Sequence, residues 1–293
     1  MHTVVTHGGS FHADDVFALA ALGLYLGPEH MNIVRTRDEA VIASGDWVID
    51  VGGVYDSAKR RFDHHQNGAP IRENGIPYAA FGLIWKEIGT QVAGSPETAA
   101  IIEERFVLPI DAGDNGIGLY TLNEQGIAPF AIHDLVNSFR PVWQTEERAD
   151  AQFAEVVLIA RTFLRRAIAH ANATRKMRAL ADEVYAHAAD KRVLVFSVPM
   201  SSELCIDHPD VSVVVCPDDP KVSSNWNATA VRKSRDTFAL RVAFPEAWAG
   251  LRAEALQKAS GIPDAVFCHK NRFLFVAASK EGVCAAVAKA LEQ

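Results

Sequence analysis

Short apolar runs alternate with helix-periodic stretches over the first third of the chain. Thr3-Val4-Val5-Thr6 reads as a strand ended by a glycine-containing turn, and residues 13–26 carry Ala, Leu and Phe at helical spacing. A second strand is expected at Asn32-Ile33-Val34-Arg35, a short helix at 39–44 and a third strand over 47–51. Further helices are expected over 78–88 and 96–107. Strands and helices in alternation predict an α/β domain whose sheet is parallel and covered on both faces. In such sheets ligands gather at the carboxyl ends of the strands.

The pattern changes after about residue 145. Phe153, Val156, Val157, Ala160, Phe163, Leu164, Ala167 and Ile168 recur every three or four positions, and Met177, Leu180, Val184 and Tyr185 continue in a second register. Two consecutive helices, or one broken near Asn172-Ala173-Thr174, are expected here. Strands follow at 193–196, 211–216, 226–232 and 238–244, with 265–268 paired to 273–277; helices are expected over 245–259 and 280–291. A smaller mixed α/β domain with a largely antiparallel sheet results. The organisation is thus a first domain over 1–144, a helical connector over 145–190 and a C-terminal domain over 191–293.

Composition narrows the class without naming it. Of 293 residues, 49% are apolar and 22% charged, an ordinary globular balance with enough chain for two cores. The net charge of −7 gives no global attraction for polyanions, so a nucleic acid would have to be held by a local basic surface or by bound metal. The four cysteines, Cys205, Cys216, Cys268 and Cys284, form no Cys-x-x-Cys pair and fit reduced thiols in a cytoplasmic protein. Neither a signal peptide nor a membrane span is expected, because the first strand starts at once and the apolar runs are short.

Candidate chemistry is concentrated in the first 116 residues. Four acid–imidazole clusters occur there: His7-Gly-Gly-Ser-Phe-His12-Ala-Asp14-Asp15, Asp50-Val51-Gly52-Gly53, Asp63-His64-His65, and Asp111-Ala-Gly-Asp114-Asn115-Gly116. Carboxylate with imidazole is the donor set of paired hard or borderline divalent cations. Such a pair lowers the pKa of a bridging water and clamps the oxygens of a phosphoryl centre. Asp50, at a strand end and followed by two glycines, suits a bridging carboxylate. Successive residues of an extended segment point apart, so one of His64 and His65 is left to face substrate.

These motifs, in this order, resemble the DHH phosphoesterase superfamily, which includes RecJ-type exonucleases and family II pyrophosphatases. The detail is closest to one branch, the melanocyte proliferating gene family. The matching stretches are Thr6 to Asp15, Arg61-Phe62-Asp63-His64-His65-Gln66, Asp111 to Gly116, Phe244-Pro245-Glu246-Ala247-Trp248-Ala249-Gly250-Leu251-Arg252 and Ser260-Gly261-Ile262. The resemblance implies two divalent ions, Mn²⁺ before Mg²⁺. One ion is expected on His7, His12, Asp50 and Asp114, the other on Asp14, Asp50 and His64. It also implies catalytic roles for Asp50, Asp63 and His65, with His65 bonding the phosphate or leaving group. Asp15 is the alternative to Asp14, and Asp111 to Asp114.

The implied activity is a 3′–5′ exonuclease acting on single-stranded RNA or short oligonucleotides through a dinuclear, metal-activated water. Alternatives are a phosphoesterase for small compounds such as a dinucleotide or pyrophosphate, and a metal-stabilised nucleotide-binding protein without turnover. Arg161, Arg165 and Arg166, continued by Arg175, Lys176 and Arg178, are candidates for tracking a phosphate backbone. Arg232, Arg241, His269 and Arg272 are candidates for gripping a terminal nucleotide, with Lys270 to Phe275 departing from the family's small, glycine-containing segment. No membrane partner is expected; a homodimer is compatible with the sequence.

Overall fold

The computed structural model of the protein describes residues 1–292 and divides into two compact units, Met1–Ala173 and the chain from Thr174 onward. The first unit holds a five-stranded sheet in the order β2-β1-β3-β5-β4. Its strands are β1 (His2–Thr6), β2 (Met31–Arg35), β3 (Trp47–Ile49), β4 (Tyr55–Asp56) and β5 (Arg61–Phe62). β2, β1, β3 and β5 run parallel, and only the edge strand β4 is antiparallel to its neighbour.

Alternation along β1 assigns the faces. Val4 joins the larger core with α1 (Ala13–Leu26) and α3 (Ala80–Ala93), while Val5 joins Val48 and Val51 beneath Val41 and Ile42 of α2 (Glu39–Ser44). Phe17, Leu22, Phe81 and Leu83 are almost completely buried between α1 and α3. Each contributes ~1.5–3 kcal/mol on leaving water. The sheet is therefore covered on both faces, as its sequence pattern predicted.

The expected helix over 96–107 is two pieces and runs on into a third. α4 (Pro96–Ile102) passes into a π-helical turn, Glu103–Val107, and then into α5 (Leu108–Asp114). An extended, helix-free stretch leads from there to the short α6 (Ile132–Ser138), which the periodicity did not predict because only Val136 is buried. α7 (Ala149–His187) is one helix of 39 residues, unbroken at Asn172. There the Asn172 side chain accepts from Thr98 Oγ1 at 2.7 Å and donates to Ala93 O at 3.0 Å. Engaged in this way, it does not compete for its own backbone, which is how Asn usually breaks helices.

The second unit carries a five-stranded sheet, β6-β7-β8-β10-β9. Its strands are β6 (Val193–Val195), β7 (Val213–Pro217), β8 (Trp226–Ala230), β9 (Ala265–Cys268) and β10 (Leu274–Ala277). Only β6 and β7 pair in parallel. α8 (Ala253–Ser260) and α9 (Lys280–Leu291) cover one face and the last turns of α7 the other. Residues 238–244 form no strand: Leu240 makes a single bridge to Arg232, and Phe238 is 90% exposed. The helix expected over 245–259 is a 3₁₀ turn, Glu246–Trp248, followed by α8.

Candidate active site

β1, β3 and β5 are adjacent and parallel, so the residues that follow them emerge along one sheet edge. His7 follows Thr6, Asp50 follows Ile49, and Asp63-His64-His65 follow Phe62. The strand expected to reach Val51 ends at Ile49 because Asp50 adopts φ +57°, a left-handed conformation that Asp tolerates better than most residues. The Gly8-Gly9 turn leads into α1, whose first turn holds Asp14 and Asp15. Asp114 arrives at the end of α5.

These side chains converge. His7 Nε2 lies 3.2 Å from both Asp15 Oδ2 and Asp50 Oδ2. His64 Nε2 lies 3.3 Å from Asp50 Oδ1, 3.4 Å from Asp114 Oδ2 and 3.8 Å from Asp14 Oδ2. Donor atoms fall within 4.8 Å of one another in the sets His7, His12, Asp50; Asp50, His64, His65; and His12, Asp14, Asp114. His12 thus stands beside Asp14 and Asp114 as well as beside His7.

Five atoms decide what the cluster is fit to hold. Nε2 of His7, Nε2 of His64, Oδ1 of Asp14, Oδ2 of Asp15 and Oδ1 of Asp50 are all buried without an aligned hydrogen-bond partner. A buried polar atom without a partner costs ~1–3 kcal/mol, and several side by side are stable only around a shared counter-charge. Imidazole nitrogens and carboxylate oxygens gathered in threes, as in the sets sharing Asp50 and His12, fit borderline divalent cations.

Electrostatics carry the same message. Burial, then the charges of Asp50, Asp114 and Asp15, raise the Asp14 carboxyl well above its usual range. Burial also raises Asp15, against the pull of His7. Burial works against a charged His7, yet Asp15 and Asp50 outweigh it and raise the imidazole to about 10. Asp50, buried but flanked by His64 and His7, falls to about 2. The cluster therefore concentrates negative charge that positive charge must balance.

Two sequence ambiguities acquire distinct geometries. Asp15 Oδ1 closes the first turn of α1, accepting from His12 N at 2.9 Å and Val16 N at 2.8 Å. Asp14 instead leaves Oδ1 free while Oδ2 accepts from Ala80 N at 3.3 Å. Asp111 is turned away from the cluster, accepting from Arg72 at 2.7 Å and Gly82 N at 3.0 Å; Asp114 faces His64.

Asp63 was expected among the reacting groups, but its carboxylate is committed to N–H donors. Oδ1 accepts from His65 Nδ1 at 2.7 Å and from the backbone of His64 and His65, and Oδ2 accepts from Gly53 N at 2.6 Å. It orients its neighbours, while the His65 side chain remains 63% exposed. Sequence reasoning missed three arginines that hold the His7-to-His12 turn. Arg35 and Arg37 donate to Gly9 O and Gly8 O, and Arg140 donates twice to Phe11 O, at 2.9 and 2.6 Å. It also missed Arg72. A lone arginine in a loop has no sequence signature for such a role.

In the second unit the expected cations separate. Arg232 pairs with Glu203 and lines a cavity of about 360 Å³ with Thr229, Phe238, Asn271 and Phe273. Arg241, named with it, is spent on structure: its guanidinium donates to the carbonyls of Ile206, His208 and Val211 at 2.6–2.7 Å. His269 accepts from Asn271 N at 3.0 Å and packs its ring against Phe273. Arg272 sits at φ +59° in the turn between β9 and β10.

The fold and this cluster define a two-unit α/β protein with an acid–imidazole centre at the carboxyl edge of a parallel sheet. The chain belongs to the MYG1_exonuc family, described as Uncharacterised protein family (UPF0160), which it matches over residues 3–291. It is 30% identical to the human MYG1 exonuclease over 98% of this chain and 85% of that one. A MYG1 protein of Chlamydia pneumoniae is 32% identical over 95% and 93% of the two chains, and the MYG1 protein C694.04c of Schizosaccharomyces pombe 30% over 99% and 97%. A solved pGpG-specific phosphodiesterase, PggH from Vibrio cholerae, aligns across 100% of this chain and 98% of that one with 12% identity and a TM-score of 0.33, too remote to bear on function.

Proposed function

We propose that the protein is a metal-dependent phosphodiester hydrolase that removes nucleotides from the 3′ end of single-stranded RNA or short oligonucleotides. The observation that carries this reading is the set of five buried ligand-type atoms on His7, Asp14, Asp15, Asp50 and His64 that crowd together without an aligned hydrogen bond. Relatives bearing the name MYG1 exonuclease, at about 30% identity over nearly the whole chain, support the reaction class. Two divalent ions bound there, Mn²⁺ in preference to Mg²⁺, would lower the pKa of a water and neutralise charge on the phosphoryl oxygens.

The chain's own residues have distinct parts in this scheme. Asp50 presents one oxygen toward His7 and the other toward His64, and so serves both halves of the cluster. His7, His12, Asp14, His64 and Asp114 complete the donor set. Asp63 holds the His65 ring by accepting from Nδ1, so that Nε2, when it carries a proton, donates to the scissile phosphate or leaving oxygen. The cavity beside Arg232 is large enough to receive a terminal nucleotide.

The test is hydrolysis of end-labelled single-stranded RNA with and without Mn²⁺, beside Asp50→Asn, a residue that also tolerates the left-handed backbone. A Mn²⁺-dependent ladder absent from the variant supports the proposal and gives the polarity. Cleavage of dinucleotides alone would replace it with a small-molecule phosphoesterase. Mn²⁺ binding without any cleavage would sink the hydrolase reading.

A further inference from the structure

Behind the cluster lies an ion network that none of the proposed metal ligands requires for its own contacts. Arg72 lies between β5 and α3, with a side chain only 8% exposed. Its Nε donates to Glu103 at 2.8 Å, one terminal nitrogen to Asp111 Oδ2 at 2.7 Å and the other to Pro77 O at 3.1 Å. The guanidinium also lies 3.8 Å above the Tyr78 ring. The planar fork is therefore used on every side, a geometry that lysine does not reproduce.

Asp111 is completely buried and sits one helical turn before Asp114 on α5. Besides Arg72 it accepts from Gly82 N in the first turn of α3. The same turn of α3 donates Ala80 N to Asp14. Three segments that bear candidate ligands thus meet at one guanidinium: the chain following Asp63-His64-His65, the start of α3 against Asp14, and α5 with Asp114. Room for the pair exists only because residue 82 is glycine. A Cβ there would lie 1.8 Å from Asp111 Oδ2 and 2.5 Å from the Arg72 guanidinium.

We infer that Arg72 is a positioning residue: by holding Asp111 it sets α5 so that Asp114 faces His64 across the metal cluster. The inference rests on the metal reading given above. Partners that orient ligands change metal affinity by about 10–100-fold when removed.

Mn²⁺ binding to the metal-stripped full chain, followed by the electron paramagnetic resonance of the free ion, is the test. Arg72→Met should weaken binding about tenfold or more, with Arg72→Lys between it and the wild type. Asp111→Asn should also weaken it, and the double variant should be no worse than the weaker single one, as expected of two residues acting as a unit. Ile88→Ala, a core truncation on α3 distant in role, should lower stability and leave affinity alone. If Arg72→Met does not fold, Arg72→Lys carries the comparison. Binding by the arginine variants within about twofold of wild type, or an equal loss in Ile88→Ala, overturns the inference. A wild-type chain that binds no Mn²⁺ overturns the proposed function itself, a result the variants cannot mimic.

Discussion

Asp63 and His65 are joined by a 2.7 Å contact between Oδ1 and Nδ1, and the second Asp63 oxygen accepts from Gly53 N at 2.6 Å. The carboxylate is held on both sides while the imidazole it orients is open to solvent. Asp63→Asn keeps the shape but removes the charge that accepts from Nδ1 and turns an NH2 toward Gly53 N, so the hold on the His65 ring loosens. Turnover of an oligonucleotide should fall about 10²-fold or more, with Mn²⁺ affinity changed far less. Single-turnover kinetics beside a metal titration separates the two. Equal losses in both would show that Asp63 supports the metal cluster and not His65.

Metal removal should be legible in stability. Ligands that bind only the folded chain add RT ln(1 + [L]/Kd), about 2.7 kcal/mol at a hundredfold excess over Kd. Chelation should therefore lower the thermal midpoint, and added Mn²⁺ should restore it. In Asp50→Asn the midpoint should be insensitive to Mn²⁺. A midpoint that ignores chelator in the wild type would contradict a resident metal.

Arg232 and Arg241 of the second unit should behave differently. Arg241 bonds three carbonyls, and hydrogen bonds from a charged donor are worth ~1.5–3 kcal/mol each in place of water. Arg241→Ala should lose several kcal/mol of stability with little change in KM once folded. Arg232→Ala should keep stability within about 1 kcal/mol, since its partner Glu203 is exposed, and raise KM for an oligonucleotide. Chemical denaturation and steady-state kinetics on the pair decide between these roles.

Asp111 gives a pH signature. Burial raises its carboxyl to about 7, although Arg72 and backbone N–H groups act in the opposite sense. A carboxyl whose folded pKa exceeds its unfolded value of ~3.9 keeps its proton longer in the folded chain. Its favourable effect is complete below about pH 4 and is lost as pH rises toward 7. Asp111→Asn cannot titrate, so wild type should lose stability relative to this variant across that window. Denaturation midpoints at several pH values measure the difference, and parallel curves would refute the shift.

The residues most legible in the sequence were those whose spacing maps directly onto structure. The helix at 280–291 is α9 with the same bounds, and His7 follows β1 where the apolar run stops. Asp50, by contrast, fell inside the strand expected over 47–51, and the two-residue β5 before Asp63 was too short to leave a pattern. Residues 238–244 misled because strand-like composition says nothing about whether a partner strand lies alongside. Asn172 misled in the opposite way, since its helix-breaking tendency is cancelled by Thr98, 74 residues away in the chain. Asp15 could have been recognised as closing the helix start from its spacing to His12, since an acidic residue at the third helical position can reach back to the N-cap N–H. The committed state of Asp111 could not, because Arg72 is 39 positions distant and reaches it only through the folded loop.

The missing side chain at position 82 also bears on how this sequence can change over time. Any larger residue there must displace a carboxylate and a guanidinium that reside on two other segments. Positions 72, 82 and 111 are therefore free to drift only in concert. Single substitutions at any of them meet an immediate barrier, and paths between alternative solutions pass through chains with an uncompensated buried charge.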